Sequence, residues 1–171
     1  MMDNRNDIIS NSAESINAVV EKYSSLVYRI ARSYFRNSHD ADDIYQEVFL
    51  RYISKERVFK SEEHRKAWLI RVTINCCNSF YSSSWNKKTT LLDDERAEDE
   101  PVFMDSSQNE IYEAVVNLPD KLKDAIVLFY FEGMSVTETA KTLKTTEASV
   151  KMRLMRARKI LKLDLEGSEV L

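Results

Sequence analysis

Apolar residues recur at Ile16, Val19, Val20, Tyr23, Leu26, Val27, Ile30, Ala31 and Tyr34, in steps of three and four. That continuous stripe predicts a helix from about Ser12 to Phe35. Ser38-His39-Asp40 restarts the chain with N-cap chemistry. A second helix, Asp40 to about Ile53, turns Ala41, Ile44, Tyr45, Val48, Phe49 and Tyr52 inward and leaves Asp42, Asp43, Gln46, Glu47 and Arg51 on other faces. Acids in its first turn suit the helix dipole. A polar connection, Ser54 to Ser61, leads to a third helix, Glu62 to about Tyr81, which buries Ala67, Leu69, Ile70, Val72 and Ile74 with Trp68 beside them.

Ser82-Ser83-Ser84 opens a change of composition. From about Asn86 to Ser107 no helical period persists, and the run Asp-Asp-Glu-Arg-Ala-Glu-Asp-Glu-Pro intervenes. This stretch reads as a flexible acidic linker. Its charge is plain solvation, or it mimics a nucleic-acid backbone, or it keeps the linker off DNA. Beyond it the pattern predicts four helices. Asn109 to Asn117 is short. Leu118-Pro119 opens Asp120 to Glu132, and Gly133 stops that helix as a C′ residue does. Ser135 caps Val136 to Leu143, with Glu138 completing a capping box. Thr145 or Thr146 caps the last helix.

Composition narrows the class. Two Gly and two Pro in 171 residues leave few hairpin turns, so the expected fold is all-α. The net charge of −3 argues against nucleic-acid binding, but its distribution reverses that argument. Pro119 to Leu163 carries ten basic residues against five acidic ones, whereas Leu91 to Glu113 carries nine acids against Arg96 alone. Cys76 and Cys77 are the only cysteines, and with His39 and His64 distant no metal-ligand spacing exists. Two free, wholly or partly buried thiols fit a reducing cytoplasm. The polar N-terminus has no signal-peptide core, and the longest apolar run, Ala125 to Phe131, is too short to cross a bilayer. A cytoplasmic protein without membrane insertion is expected, with no cofactor.

On a 100° wheel the last helix places Val150, Leu154, Ala157 and Leu161 on one buried stripe. Lys151, Met155, Arg156, Arg158, Lys159 and Lys162 lie on the other side, and Arg153 flanks the stripe. A basic face alone is more often solvated than functional. Preceded by a short capped helix and a tight turn, it has helix-turn-helix spacing and reads as a recognition helix for a major groove.

These residues also carry a family resemblance. Leu118-Pro119, Phe131-Glu132-Gly133-Met134-Ser135, Glu138-Thr139-Ala140 and Ser149-Val150-Lys151-Met152-Arg153-Leu154-Met155-Arg156-Ala157-Arg158 resemble region 4 of bacterial sigma factors, most closely the small extracytoplasmic-function (ECF) group. Independently, Tyr28-Arg29-Ile30-Ala31-Arg32, Asp40 to Leu50 and Trp68-Leu69-Ile70-Arg71-Val72-Thr73-Ile74-Asn75 resemble region 2. The resemblance implies two helical domains, a region 2 three-helix bundle over 1–85 and a region 4 four-helix domain over 108–171, joined by the acidic linker 86–107. It implies an initiation subunit that catalyses nothing and gives core RNA polymerase its promoter choice. The implied partners are the β′ clamp helices, through Asp42, Asp43, Gln46, Glu47 and Arg51, the β flap, promoter DNA and an anti-sigma factor.

For the −35 element the implied contacts are Lys151, Met152 and Met155 on base edges, with Ser149, Arg153, Arg156, Arg158 and Lys159 on phosphates. For the −10 element they are Lys60, His64, Arg65, Arg71, Asn75, Asn78, Lys87 and Lys88. Phe59 and Trp85 supply aromatic faces, and Trp68 is a reader or a core residue. Three departures stand out. Asn78 replaces a common acid, and Tyr81-Ser82-Ser83-Ser84 replaces an Arg-rich end, which leaves −10 affinity open. Lys144 stands where the helix-turn-helix turn usually has Gly. At positive φ a Lys costs about 1 kcal/mol, so another turn geometry is open to it. Two rival readings are a stand-alone helix-turn-helix regulator, and a polymerase-binding decoy that keeps the fold but does not open DNA.

Overall fold

The structure, a computed structural model, describes residues 9–10, 16–88 and 106–168. Helix α1 (Ile16–Arg32) buries Val19, Tyr23, Leu26, Val27, Ile30 and Ala31, the stripe that its spacing predicts. Helix α2 (Ser38–Ile53) begins two residues earlier than expected because Asn37 caps it, its Oδ1 accepting from the Asp40 N–H at 2.8 Å. Helix α3 (Glu62–Lys88) packs on both, and the three form the N-terminal unit.

The polar connection before α3 contains a strand that the pattern did not reveal. β2 (Val58–Phe59) pairs antiparallel with β1 (Ile9–Ser10), Ile9 opposite Phe59. Two residues per strand are too few for alternation to register. Helix α3 also runs past its expected end at Tyr81. Ser82 Oγ donates to Asn78 O at 3.1 Å and Ser83 Oγ to Phe80 O at 3.0 Å, so the hydroxyls are satisfied on the helix itself and do not break it.

The C-terminal unit comprises α4 (Ser106–Val116), α5 (Asp120–Ile126), α6 (Val136–Thr142) and α7 (Glu147–Ser168). Helices α3 and α4 take the ends of the expected linker, and 89–105 lies outside the described residues. The single helix expected over Asp120 to Glu132 changes pitch at Val127–Phe131, a π-helical turn in which the Glu132 N–H reaches Val127 O at 3.0 Å. Gly133, at φ 65°, then reverses the chain, and the Met134 N–H closes on Leu128 O at 3.0 Å. The capping box is formed in both directions, Glu138 N–H to Ser135 Oγ at 3.1 Å and Ser135 N–H to Glu138 Oε2 at 2.8 Å. Thr146, not Thr145, caps α7, accepting from the Ser149 N–H at 3.1 Å.

Lys144 does take the left-handed conformation, at φ 52°. The Thr145 N–H reaches back to Ala140 O at 2.9 Å, a closure that requires this backbone whatever the side chain. The left-handed turn is therefore formed with Lys in place, at a cost of about 1 kcal/mol that a Gly would avoid.

The two units are not separate bodies. The corner between α1 and α2 enters the C-terminal unit, where the Tyr112 hydroxyl of α4 donates to the carbonyls of Arg32 and Phe35. Arg36 donates to Asn117 Oδ1 at 2.7 Å and pairs with Glu113 at 2.9 Å. A single apolar cluster runs from α1 through Leu118 and Ile126 to α7.

Candidate nucleic-acid interface

Two side-chain rows qualify as DNA contacts, one on α7 and one on α3. On α7, Val150, Leu154 and Ala157 are buried against α5 and α6, so the helix can present only its opposite side. There Lys151, Met152, Met155, Arg156 and Lys159 are all exposed, with Met152 and Met155 apolar at 45% and 57% exposure. Exposed thioethers between cations suit the methyl and edge chemistry of bases. Ser149 and Arg153 are half-buried at the margins of this face. Arg153 lies near enough to Asp124 to favour its carboxylate.

Arg158, expected on phosphates, is exposed but engaged within the protein. Its Nε donates to the Tyr130 hydroxyl at 2.6 Å, and its guanidinium lies 5.6 Å from that ring. Together with Ile111, Val115, Phe131 and Leu161 it lines an open apolar groove of about 510 Å³ between α4, the π turn and α7. Arg158 is thus held on the groove side and not beside Lys159. The sequence contained a signal for this groove, the run Phe129-Tyr130-Phe131. The π turn places Tyr130 and Phe131 on the surface, at 51% and 39% exposure, where a straight helix would have continued the inward stripe.

On α3, His64, Trp68, Arg71, Asn75 and Asn78 fall within about 80° of one another on an ideal helical wheel. Asn75 and His64 are exposed, and Arg71 is half-buried. His64 Nδ1 accepts from the Lys60 N–H at 3.1 Å and so ties the exposed Lys60 to the start of the row. Trp68 packs against Tyr52 and Phe59, with the Arg57 guanidinium 4.5 Å above its ring. Phe59 is itself buried. Trp85, Lys87 and Lys88 lie on the last turns of α3, but their side chains are outside the described residues.

Two members of the −10 set are engaged within the protein. Arg65 is fully buried, stacked 5.8 Å from the Phe59 ring and 3.7 Å from Glu62, so it holds the loop before α3 and offers nothing to DNA. The simple helical period hides this, because Arg65 follows the exposed Glu63 and His64 with no apolar flag of its own. Asn78 is half-buried and faces Asp124 of α5, its Nδ2 donating to Oδ2 at 3.4 Å while its own Oδ1 stays buried without a partner. The Tyr34 hydroxyl donates to the other oxygen of the same carboxylate. Burial raises the Asp124 pKa, opposed by these two hydrogen bonds, and burial also pushes the Tyr34 hydroxyl well up.

On α2, Asp42, Asp43 and Gln46 are exposed, and Glu47 accepts from Arg51 Nε at 2.6 Å, which raises the guanidinium's pKa. Leu50, Ile53 and Val58, at 61%, 46% and 60% exposure, add apolar surface on and near this helix that the charge pattern had concealed. Cys76 and Cys77 are free and buried, and burial raises both thiol pKa values. Among the described residues no cluster of three or more His, Cys, Asp or Glu could hold a metal ion, and no helix is long and apolar enough to cross a membrane.

Residues 19–87 match the family described as Sigma-70 region 2, and residues 108–161 match the family described as Sigma-70, region 4. RNA polymerase sigma factor SigV of Bacillus subtilis (strain 168) is 31% identical over 149 residues, 84% of this chain and 86% of that protein. ECF RNA polymerase sigma factor SigM of the same organism is 29% identical over 157 residues, 86% of this chain and 93% of that one. In fold, the chain is similar to the sigma factor RpoE in a complex with the anti-sigma factor NepR from Bartonella quintana. The TM-score is 0.67 at 19% identity, covering 88% of this chain and 96% of that one.

Proposed function

This chain belongs to the ECF group of the sigma-70 family, an RNA-polymerase-binding sigma factor, and from that premise we propose how its residues divide the work of promoter recognition. The exposed face of α7 reads the −35 element. Lys151, Met152 and Met155 meet base edges, while Ser149, Arg153, Arg156 and Lys159 hold phosphates. The row on α3, led by Asn75 with Lys60, His64 and Arg71, takes the −10 element, and Asn78 joins it only when freed from Asp124. Lys87 and Lys88 remain assigned to the same strand's backbone. Asp42, Asp43, Gln46, Glu47 and Arg51, with apolar Leu50 beside them, dock on the β′ clamp helices. The groove between α4 and α7 seats the β flap. A anti-sigma partner, such as the one bound to the structural relative, completes the set, and the protein performs no chemistry of its own.

One observation carries this reading. The capping box at Ser135, the left-handed turn at Lys144 and the Thr146 cap fix α7 so that its buried stripe and its cationic row fall on opposite sides. The test is run-off transcription by purified core polymerase plus this protein on fragments of its own genome. Discrete starts sharing a two-part upstream element are expected. Binding to core without transcripts would instead favour a decoy, and no binding to core would favour a stand-alone regulator.

A further inference from the structure

The stretch 54–61 between α2 and α3 carries Lys60 and leads into His64, yet its regular structure is one two-residue strand. So short a strand does not hold its own place, which comes from what it is tied to. One tie is the Phe59 side chain. Its ring is 2% exposed, lies parallel to Tyr52 at 6.2 Å and meets Trp68 edge-on at 5.9 Å. A second tie runs along the backbone. Ile9–Ser10, about fifty positions upstream, pairs with the strand, Ile9 opposite Phe59 and Ser10 opposite Val58. Among the described residues β1 is the one strand beside β2.

The register of that pairing decides which side chains face out. Val58 is 60% exposed, Phe59 is buried and Lys60 is exposed again. A slip of one residue would exchange the faces, turning Phe59 to solvent and Lys60 toward the aromatic cluster. From Lys60 the order passes into α3. The Lys60 N–H donates to His64 Nδ1 at 3.1 Å, and the His64 N–H donates to Ser61 Oγ at 3.1 Å. A neutral imidazole that accepts through Nδ1 carries its proton on Nε2, so the exposed His64 ring offers a donor. Lys60, tied to it, adds a cation.

We propose that β1 is a positioning strand for −10 recognition: by pairing with β2 it fixes the register of Val58-Phe59-Lys60, and through Lys60 the place of His64. The inference rests on the assignment of Lys60 and His64 to the −10 element and names what holds them. Ile9 and Ser10 act through β2 and are not themselves DNA contacts.

The test uses holoenzyme reconstituted with the full chain and a fork-junction template of its promoter, with each −10 base varied in turn. Adjacent residues of an antiparallel strand alternate in hydrogen bonding, so Ile9→Pro with Ser10→Pro removes a ladder N–H whichever of the two donates it. Ile9→Val with Ser10→Thr keeps both N–H groups and suits a strand. Amide hydrogen exchange at Val58, Phe59 and Lys60 reports the pairing and should quicken in the first variant alone. The first variant should bind the preferred −10 sequence about five- to tenfold more weakly and lose its preference at one or more positions, while the second matches wild type. Binding to a duplex carrying the −35 element alone should be unchanged in both, which separates lost positioning from lost folding. Lys60→Ala, which weakens wild type, should add little in the first variant, because strand and cation act through one contact.

Faster exchange with an unaltered −10 preference would make β1 a structural strap and overturn the proposal. Unchanged exchange, or equal losses at the −10 and −35 elements, would overturn it as well. If Lys60→Ala and His64→Ala leave the −10 binding of wild type intact, the underlying assignment has failed and the proposal falls with it, a result distinct from the other three.

Discussion

Tyr34, in the corner after α1, gives its hydroxyl hydrogen bond to Asp124 of α5, ninety residues away in the chain. This bond crosses between the two halves of the molecule, and Asn78 shares the same carboxylate from α3. Burial makes the ionised form expensive here, which is why the Asp124 pKa is raised despite both donors.

The consequence is a pH dependence with a definite sign. A carboxyl group whose pKa is higher in the folded state favours folding most below its ordinary value near 4, and that stability is lost as pH rises through the raised value. Asp124→Asn removes the ionisation while its Oδ1 still accepts from Tyr34. Its Nδ2 takes the place of Oδ2 and, once the Asn78 amide flips, donates to the formerly unpaired Asn78 Oδ1. The variant should equal or exceed wild type in thermal midpoint at pH 7, with the gap closing near pH 4. The neighbouring Asp120, Lys123, Cys77 and Arg153 are present in both proteins. A variant less stable than wild type at pH 7 would show that Asp124 is held for its charge.

The helix-turn-helix has two local stability handles of opposite sign. Lys144→Gly relieves the left-handed Lys and should stabilise the chain by up to about 1 kcal/mol. Ser135→Ala removes the capping hydroxyl from the Glu138 N–H and should cost about 1 kcal/mol. Urea denaturation measures both, and a destabilising Lys144→Gly would mean that the Lys side chain supports the turn.

Arg158 and Lys159 are adjacent in sequence, both exposed, and differ in their surroundings. Lys159 is exposed on the α7 face, whereas Arg158 donates to Tyr130. Lys159→Ala should lower the slope of log affinity against log salt by about 1, and Arg158→Ala should leave that slope unchanged. Titrating −35 duplex with holoenzyme over a salt series distinguishes them. Equal slope changes would return Arg158 to the phosphate set.

Most of the helices were legible because their signals are local. The stripe of α1, the Ser135 box, Gly133 and the wheel of α7 each depend on residues a few positions apart. The missing parts depend on residues far apart. Arg65 reads as a surface cation until the Phe59 strand folds over it. Asn78 reads as a free amide until α5 arrives, and Arg158 reads as one more cation until the π turn brings Tyr130 to it. The serine run after Tyr81 misled for another reason. Ser is a weak helix former, and its usual competition with the backbone is satisfied inside α3 by carbonyls three and four residues back.

The central claim is that the exposed face of α7 reads sequence at its start and backbone along its length. Holoenzyme binding to a panel of single-base variants across the −35 element, with wild type, Lys151→Ala and Lys159→Ala, tests it directly. Lys151→Ala should lose about 1–3 kcal/mol of discrimination at one position and little elsewhere, while Lys159→Ala should weaken every variant alike. Equal, position-independent losses for the two substitutions would contradict this division and leave α7 a non-specific cationic surface.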